Sequence, residues 1–335
     1  MSKGQTKQQG KPGCFFCSIY CKTGQKRDIN NAVKQKKGKS IMNIIDAITR
    51  LVENPVTNLK DYKIGSNRVN NMGAALEEYI KDLFAGSFGM EENERVIRLS
   101  EVFSYLGNNS NPPDAMLKDG DAIEVKKIES NGSSLALNSS YPKQTLKSTS
   151  TMISAACKDA EWWTEKDMIY AVGFVKDKAL KRLCMVYGMD YCASEECYAG
   201  LKRRIKNGVE EIPNVDFQET AELGRVNRVD PLGITYMRVR GMWGIENPWT
   251  AFHYLYNPEK SDDTALDFMC IINEDKWEKL GNAEQLREAK VTPLGELNIE
   301  DVQVRNPDNP SIMRPAKLIT FTLKAAQKRG RRKQS

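Results

Sequence analysis

Histidine is almost absent from this sequence: the 335 residues contain one, His253. A single histidine cannot supply, within one chain, a phosphodiesterase site built on two histidines or a ββα-metal nuclease site. No apolar run approaches the roughly 20 residues that a membrane-spanning helix needs. The lysine-rich N-terminus also lacks the apolar core of a secretory signal. These absences argue against nucleases whose sites need two histidines, against membrane-spanning proteins and against secreted proteins. We therefore expect a cytoplasmic protein without a membrane partner.

The eight cysteines are not accompanied by a secretory signal, so we expect mostly free thiols. One cluster, Cys14, Cys17 and Cys21, has the close spacing of three zinc ligands. The sequence offers no nearby fourth ligand, because Cys157 and His253 come far later. Zinc at this cluster is therefore an alternative that the sequence does not favour.

The net charge of +6 is distributed unevenly along the chain. Residues 1–40 carry ten Lys and Arg against one acid, and residues 324–335 carry six Lys and Arg without an acid. The body between them has nine more acidic than basic residues. Basic ends on an acidic body indicate contact with a polyanion, and nucleic acid is the first candidate. Tails that only maintain solubility are the alternative.

Apolar residues at helical spacing predict a helix over 41–52, capped by Ser40, and a second helix over about 71–84. Ser194 is predicted to cap a further helix that runs through Val209. Apolar runs predict strands at 115–117, 122–128, 167–175, 183–189, 266–272 and 317–323. Helices before and after a run of strands favour an α/β or α+β fold, with a central β-sheet flanked by helices.

Composition divides the chain into three parts. Residues 1–40, rich in Lys, Gln and Gly, are predicted to be a flexible arm. Residues 41–323 are predicted to form one domain, with its core over 41–220 and a segment rich in Arg, Gly and aromatic residues over 221–260. Residues 324–335 are predicted to be a basic tail.

Residues 111–130, NPPDAMLKDGDAIEVKKIES, predict a β-hairpin that carries two carboxylates and a lysine. Asp119-Gly120 is a strong signal for a two-residue turn. A turn of this kind pairs Lys118 with Asp121. The register of every later pair follows from that first pair.

In this register Asp114 lies beside Val125, whereas Glu124 and Lys126 point to the other face of their strand. Asp114 must therefore turn toward Glu124 through a bulge or a kink. The two prolines before Asp114 permit such a departure, because proline interrupts a regular ladder.

Two carboxylates a few ångströms apart repel each other and favour a shared divalent cation. Oxygen ligands favour Mg²⁺, Mn²⁺ or Ca²⁺ over zinc. With Lys126 near bound water or a phosphate, Asp114 and Glu124 suit metal-assisted phosphodiester hydrolysis. The alternative is a polar surface hairpin without a catalytic function. The apolar residues of the hairpin, such as Ile123 and Val125, argue against this alternative, because they hold the strand in a core where unpaired charges cost free energy.

These residues resemble a known superfamily. Pro113-Asp114, followed after nine residues by Glu124-Val125-Lys126, resembles the motif of the PD-(D/E)XK nucleases. Residues 67–84 (NRVNNMGAALEEYIKDLF) and 135–143 (LALNSSYPK) resemble the NgoPII-like type II restriction endonucleases, and the resemblance covers about residues 41–320. It implies a restriction-endonuclease-like core with a mixed sheet, and site-specific cleavage of both strands of DNA.

The resemblance also implies roles for the hairpin residues. Asp114 and Glu124 would bind Mg²⁺, for which Mn²⁺ can substitute, and the Val125 carbonyl would be a further ligand. Lys126 would orient or help to deprotonate the attacking water. The products would carry 5′-phosphate and 3′-hydroxyl ends.

Glu77 matches the helix-borne acid of the superfamily (Gly-x-x-x-Glu), which assists the metal or its water. Glu78 is the alternative. Because Glu78 turns away from the apolar stripe of its helix and Glu77 lies on its edge, Glu77 is the preferred candidate.

Two polar segments are candidates for contacts with DNA. The segment after the hairpin offers donors for phosphates or base edges at Asn138, Ser139, Ser140, Tyr141 and Lys143. Residues 225–253 add Arg225, Asn227, Arg228, Arg238, Arg240, Trp243, Asn247, Trp249 and His253. Arg238 and Arg240 share one face if their stretch is extended. Ordinary polar loops, core aromatics and surface ion pairs are the alternatives.

The family resemblance further implies a site and partners. Members are associated with the DNA sequence GGCC. This sequence suits an arginine-rich recognition segment, because arginine bonds to guanine in the major groove. A palindromic site cut on both strands calls for a two-fold symmetric pair of active sites, so we expect a homodimer. Protection of the host genome implies a companion DNA methyltransferase of the same specificity, and the expected host is a prokaryote.

Two other functions stay open from the sequence. A DNA-binding protein without catalysis would need only the basic ends and the arginines. A DNA methyltransferase is suggested by Phe84-Ala-Gly-Ser-Phe-Gly and by Asn111-Pro-Pro. However, residue 114 is Asp where that motif needs an aromatic ring to stack a flipped base.

Overall fold

The structure is a computed structural model that describes residues 41–59, 63–64, 67–68, 72–108, 110–220, 223–258, 261 and 263–326. The arm over 1–40, with Cys14, Cys17 and Cys21, lies outside the described residues, as does most of the tail over 324–335. The zinc alternative and the domain boundaries therefore stay predictions. The five cysteines in the described part are all free thiols.

The helices of the described part are short to medium in length. In chain order they are α1 (Ile44–Glu53), α2 (Met72–Ala85), α3 (Glu92–Val102), α4 (Ala155–Lys158), α5 (Gly188–Tyr191), α6 (Glu195–Glu210), α7 (Pro248–Ala251), α8 (Glu274–Leu280) and α9 (Ala283–Arg287). None of these helices is long and apolar enough to span a membrane.

The strands of the described part range from two to sixteen residues. In chain order they are β1 (Lys63–Ile64), β2 (Asn67–Arg68), β3 (Phe103–Tyr105), β4 (Ala115–Leu117), β5 (Ala122–Ile128), β6 (Leu135–Asn138), β7 (Thr145–Lys147), β8 (Glu165–Lys176), β9 (Ala179–Tyr187), β10 (Asp216–Glu219), β11 (Gly224–Asn227), β12 (Met237–Val239), β13 (Trp243–Ile245), β14 (Thr264–Asn273), β15 (Gly295–Asn306) and β16 (Asn309–Lys324).

Nine of the described strands form one central sheet. Its order is β15-β16-β14-β9-β8-β5-β4-β3, and β7 pairs with the first residues of β8. The pairs β5–β8 and β9–β14 are parallel, and the other pairs are antiparallel. Three smaller sheets are formed by β1–β2, by β6–β13 and by β10–β11–β12. The predicted α+β fold with a mixed central sheet flanked by helices is confirmed.

The two faces of the sheet carry separate hydrophobic cores. On one face Ile123 and Val125 of β5 pack in a core with α1 and α2. On the other face Ala122 and Ile128 of the same strand pack in a second core, which includes residues of α7. Because side chains alternate along a strand, Glu124 and Lys126 point toward the second face.

Helix α1 begins later than the sequence suggested. Asn43 caps the helix: its side chain accepts a hydrogen bond from the Ile45 amide, and Asp46 accepts one from the Asn43 amide (both 2.9 Å). This reciprocal capping box is more stabilising than a single serine cap. The prediction of Ser40 as the cap was therefore wrong. Helix α6 begins after Ser194 as predicted, but the Ser194 side chain makes no capping hydrogen bond, and none of the helix residues is buried.

A three-residue turn over 118–120 closes the hairpin of β4 and β5. The Leu117 amide donates to the Asp121 carbonyl (2.9 Å), and Ala115 is the register partner of Ile123. The predicted two-residue turn was therefore wrong by one residue. Asp119, the middle residue of this turn, has a left-handed conformation (φ 54°), which Asp tolerates better than most residues.

Lys166 of β8 stabilises this turn from inside the protein. Its ammonium donates to the carbonyls of Leu117 (3.0 Å) and Gly120 (2.7 Å), and it forms an ion pair with Glu161. The side chain is only 4% exposed. A buried ammonium is tolerated only when its donors are bonded, and these three partners satisfy that condition.

We predict that Lys166→Met destabilises the protein. The substitution removes the ammonium that bonds two turn carbonyls and the Glu161 carboxylate, so the free energy of unfolding should fall by about 3 kcal/mol. Urea denaturation measures the change. Lys176→Met, at the exposed end of the same strand, is the matched control. Equal denaturation midpoints for the two variants would contradict the assigned role of Lys166.

Candidate active site

Asp114 lies where the hairpin departs from a regular ladder. Its amide donates to the Ile123 carbonyl (3.0 Å), although Ile123 is already the register partner of Ala115. The Asp114 carboxylate accepts a hydrogen bond from the Val125 amide (2.6 Å). The irregularity expected at Asp114 is thus present, and it brings this carboxylate next to the strand that carries Glu124.

Glu124 is buried, and only one of its two oxygens has a partner. Its Oε1 accepts a hydrogen bond from the Lys126 ammonium (2.6 Å). Its Oε2 is also buried and has no hydrogen-bond partner among the described residues. A buried carboxylate oxygen without a partner costs free energy, so it is an acceptor that a cation or a water molecule would satisfy.

Burial and neighbouring charges shift the pKa values of Asp114 and Lys126. Burial and the Glu124 carboxylate raise the pKa of Asp114 to about 7. Burial lowers the pKa of Lys126, but the charges of Glu124 and Asp114 outweigh burial and raise this pKa above its usual value. Lys126 therefore keeps its proton at neutral pH, whereas Asp114 needs a compensating positive charge to stay ionised.

The two glutamates of α2 have different surroundings. Glu77 is half-buried, and burial raises its pKa while the charge of Lys126 lowers it. Glu78 accepts hydrogen bonds from Lys81 (2.9 Å) and from Arg95 of α3 (2.7 Å). Glu78 thus joins two helices, whereas Glu77 lies within electrostatic reach of the hairpin. Of the two, Glu77 therefore remains the preferred candidate for the helix-borne acid.

The hairpin offers two carboxylates to a metal ion. Within the described ranges no three His, Cys, Asp or Glu side chains converge as ligands of one ion. Asp114 and Glu124 nevertheless fit Mg²⁺, which commonly binds through one or two carboxylates and keeps several waters. The Val125 side chain packs in the core on the other face, so Val125 has only backbone atoms to offer.

Asp114, Glu124 and Lys126 line a cavity of about 680 Å³. The rest of its lining includes both segments that were predicted to contact DNA. The predicted DNA contacts that line the cavity are Asn138, Ser139, Ser140, Tyr141, Lys143 and Arg240. The fold therefore joins the candidate catalytic residues and six candidate DNA contacts in one cavity.

A two-stranded ribbon of β6 and β13 brings these segments together. Trp243 is the register partner of Asn138. Close to this pair, the Arg240 guanidinium donates to the Ser139 hydroxyl (3.3 Å), although the two residues are 101 positions apart. The ribbon explains how a distant arginine comes to line the cavity.

Four other candidate DNA contacts do not line the cavity: Arg225, Asn227, Arg228 and Arg238. They lie on or beside the small sheet of β10, β11 and β12. The Arg225 guanidinium stacks on the Tyr236 ring (3.7 Å), and Arg228 forms an ion pair with Asp216 (2.8 Å). Of the pair Arg238 and Arg240, only Arg240 reaches the cavity.

Some candidates have structural partners instead. Asn247 is 1% exposed, caps α7 and donates to the carbonyls of Asn131 (3.0 Å) and Ser133 (2.8 Å). Trp249 is also buried. Both residues therefore belong to the core rather than to a DNA-contacting surface. The Tyr141 hydroxyl donates to Glu195 (2.9 Å), so its ring lines the cavity with its hydroxyl already bonded.

A family model described as NgoPII restriction endonuclease matches residues 42–305. The chain belongs to this family. The type II restriction enzyme NgoPII of Neisseria gonorrhoeae is 56% identical to it over 283 residues, which are 84% of this chain and 100% of that protein. No solved structure matches the chain. The family expected from residues 67–84 and 135–143 is confirmed, and so is the expected class of enzyme, a type II restriction endonuclease. The methyltransferase alternative is not supported.

Gly107 lies against the backbone of Asp114, a contact that the sequence does not predict. Gly107 has a φ of 80°, and a Cβ atom at this position would lie 2.4 Å from the carbonyl oxygen of Asp114. Gly107 and Asn108 give only an ordinary turn signal in the sequence. Their closeness to Asp114 arises from the packing of this turn against the hairpin.

We predict that Gly107→Ala impairs DNA cleavage more than stability. The new Cβ must displace the Asp114 backbone, and misplacement of a reacting group lowers the rate roughly 10- to 100-fold. Gly89→Ala is the matched control, because Gly89 has a similar φ of 72° but a Cβ atom there would meet no other atom within 4 Å. Cleavage assays on a plasmid and thermal melting compare the variants. Equal loss of cleavage in both would contradict the role of Gly107.

We also predict that Asp114→Asn stabilises the metal-free protein at neutral pH. The folded state raises the pKa of Asp114 from 3.8 to about 7, so between these pH values the folded state binds more protons and loses stability as pH rises. Asn carries no charge, so the variant should avoid a loss of about 2 kcal/mol, or roughly 3 °C in Tm, at pH 8.

Thermal melting in EDTA measures this difference. Near pH 4 both folded proteins carry a neutral group at this position, so the two Tm values should converge. A variant that melts below the wild type at pH 8 would contradict the strain assigned to the ionised Asp114.

Proposed function

We propose that this family member hydrolyses both strands of double-stranded DNA at a short palindromic site, with GGCC as the expected sequence. The observation that supports the proposal most is the buried Glu124 Oε2, which has no partner among the described residues and belongs to a residue that lines the same cavity as Asp114 and Lys126. Two carboxylates repel the phosphates of DNA unless a cation lies between them. The presence of these two carboxylates in the cavity therefore favours a catalytic function over DNA binding alone.

Asp114 and Glu124 would hold Mg²⁺, or Mn²⁺ as a substitute, with the Val125 carbonyl and Glu77 as further candidates for the ion or its water. Such an ion stabilises negative charge on the phosphate and lowers the pKa of bound water. The pKa of Asp114, raised to about 7 by burial and by Glu124, supports this assignment, because a cation would offset both causes.

Lys126 is the residue that faces the attacking water in this proposal. Its ammonium is protonated and is held by Glu124 (2.6 Å), so it orients the water through a hydrogen bond. The water oxygen bonds to phosphorus and the water loses one proton. The P–O3′ bond breaks, and the 3′ oxygen takes up a proton. The products have 5′-phosphate and 3′-hydroxyl ends.

The cavity residues Asn138, Ser139, Ser140, Lys143 and Arg240 are proposed to contact the DNA near the cut. Arg225, Asn227, Arg228 and Arg238 of the small sheet would contact DNA beyond the cavity. A palindromic site requires two symmetric active sites, so we propose a homodimer. A cytoplasmic methyltransferase of the same specificity would protect the DNA of a prokaryotic host.

The proposal is tested by incubation of the purified protein with plasmid DNA and Mg²⁺, and then with EDTA. We expect discrete fragments that form only with the metal, and the sequences of their ends give the site and the cut position. A plasmid that is shifted in a gel but stays intact under all metal conditions would favour a DNA-binding protein without catalysis.

We predict that Lys126→Ala lowers the single-turnover cleavage rate about 1,000-fold, because a preorganised charge at the reacting group is lost. DNA binding in EDTA should change little. Lys127→Ala is the matched control: this neighbouring lysine pairs with Glu129 (2.6 Å) and does not line the cavity. A Lys126 variant that cleaves as fast as the Lys127 variant would refute the assignment of Lys126.

A further inference from the structure

A second lysine, Lys143, lines the same cavity as the hairpin residues but comes from the loop between β6 and β7. Burial lowers the pKa of Lys143, and the strongest opposing influence is the charge of Glu124. The Lys143 ammonium is therefore within the electrostatic field of a candidate metal ligand. The cavity thus contains two lysines from different parts of the chain near one carboxylate.

The Lys143 ammonium is held in place by uncharged groups. It donates hydrogen bonds to the Ser140 hydroxyl and to the Tyr141 carbonyl (3.1 Å), and it lies 4.9 Å from the centre of the Tyr141 ring. A lysine has three N–H donors. Among the described residues no third acceptor is bonded to this ammonium, so one N–H is available to a ligand.

The backbone of Lys143 is fixed independently of its side chain. The Lys143 amide donates to the Tyr170 hydroxyl (2.8 Å), and that hydroxyl donates to the Lys143 carbonyl (3.3 Å). Tyr170 is the register partner of Glu124 in the parallel pair β5–β8. Gly188 allows the close approach, because a Cβ there would lie 2.2 Å from the Lys143 carbonyl oxygen. Lys143 and Glu124 are thus attached to the same pair of strands.

Lys143 differs from Lys126, the other lysine that lines the cavity. Lys126 is ion-paired with Glu124 (2.6 Å). The partners of Lys143 carry no charge, so its positive charge is not neutralised by a direct ion pair. An anionic ligand would form a strong charge-assisted hydrogen bond with such an ammonium. Under the proposed function, the anion that enters this cavity is a DNA phosphate.

We propose that Lys143 is a further catalytic residue, whose ammonium donates a hydrogen bond to a non-bridging oxygen of the scissile phosphate. This assignment rests on the proposed function, which brings that phosphate to Asp114 and Glu124. Negative charge builds up at the reacting phosphate as the water oxygen bonds to phosphorus and the P–O3′ bond breaks. A cation fixed beforehand stabilises this state more than the ground state, so Lys143 acts on the cleavage rate rather than on the choice of bases.

The first test is single-turnover cleavage of a duplex that carries the cut site, with the protein in excess and Mg²⁺ present. Lys143→Met should cleave about 100-fold more slowly than the wild type. Lys143→Arg, which keeps the charge, should recover part of the rate. Lys147→Met is the matched control, because Lys147 is exposed, pairs with Glu195 (2.7 Å) and does not line the cavity. This control should cleave at nearly the wild-type rate.

A second measurement removes the phosphate charge instead of the lysine. The duplex carries a neutral methylphosphonate at the cut position, which the fragment ends identify, and binding is measured in EDTA. The ratio of affinities for the modified and the unmodified duplex should be lower for the wild type than for Lys143→Met, because the variant already lacks its contact with that phosphate. If thermal melting shows that Lys143→Met is unfolded, Lys143→Gln serves as the neutral variant instead.

Either of two results would overturn the assignment. One is a folded neutral variant that cleaves as fast as Lys147→Met, and the other is an equal methylphosphonate effect in wild type and variant. These results are distinct from a failure of the proposed function. If the wild type leaves DNA intact, the proposed function fails; if the wild type cleaves and Lys143 is dispensable, only the role of Lys143 fails.

Discussion

The hydrogen bond from the Val125 amide to the Asp114 carboxylate is the contact on which the candidate site depends. It forms in the register that the three-residue turn over 118–120 allows, and Lys166 holds that turn through two of its carbonyls. Because side chains alternate along a strand, a shift of one residue would move Asp114 to the wrong face of the sheet. The convergence of the acids with Lys126 therefore depends on a turn at the other end of the hairpin.

This site is kept at a cost in stability. Two carboxylates lie close together in a partly buried position, the pKa of Asp114 is raised to about 7, and Glu124 has a buried oxygen without a partner among the described residues. A hydrophobic pair in their place would avoid these costs. The two cores on either face of the sheet offset them, and strain of this kind is typical of sites where a ligand supplies the missing partner.

Tyr170 links the two halves of the cavity. It lies opposite Glu124 in the parallel pair β5–β8, and its hydroxyl bonds both to the amide and to the carbonyl of Lys143. The ribbon of β6 and β13 then adds Arg240 next to Ser139. The candidate DNA contacts and the candidate catalytic residues are therefore connected through β8, which pairs with β5 and whose Tyr170 bonds to the backbone of the loop that carries Lys143.

From the sequence by itself, short-range periodicity predicted a sheet between helices, and residue types at fixed spacing defined the motif from Pro113 to Lys126. The family and the mixed character of the sheet came from the resemblance of longer segments to known sequences. The sequence did not determine the register of the hairpin, which differed by one residue from the turn signal of Asp119-Gly120. It also could not tell that Arg240 reaches the cavity whereas Arg238 does not, or that Gly107 touches Asp114. Such contacts join segments far apart in the chain, and only the tertiary structure decides them, because they form from the packing of whole elements rather than from local preference.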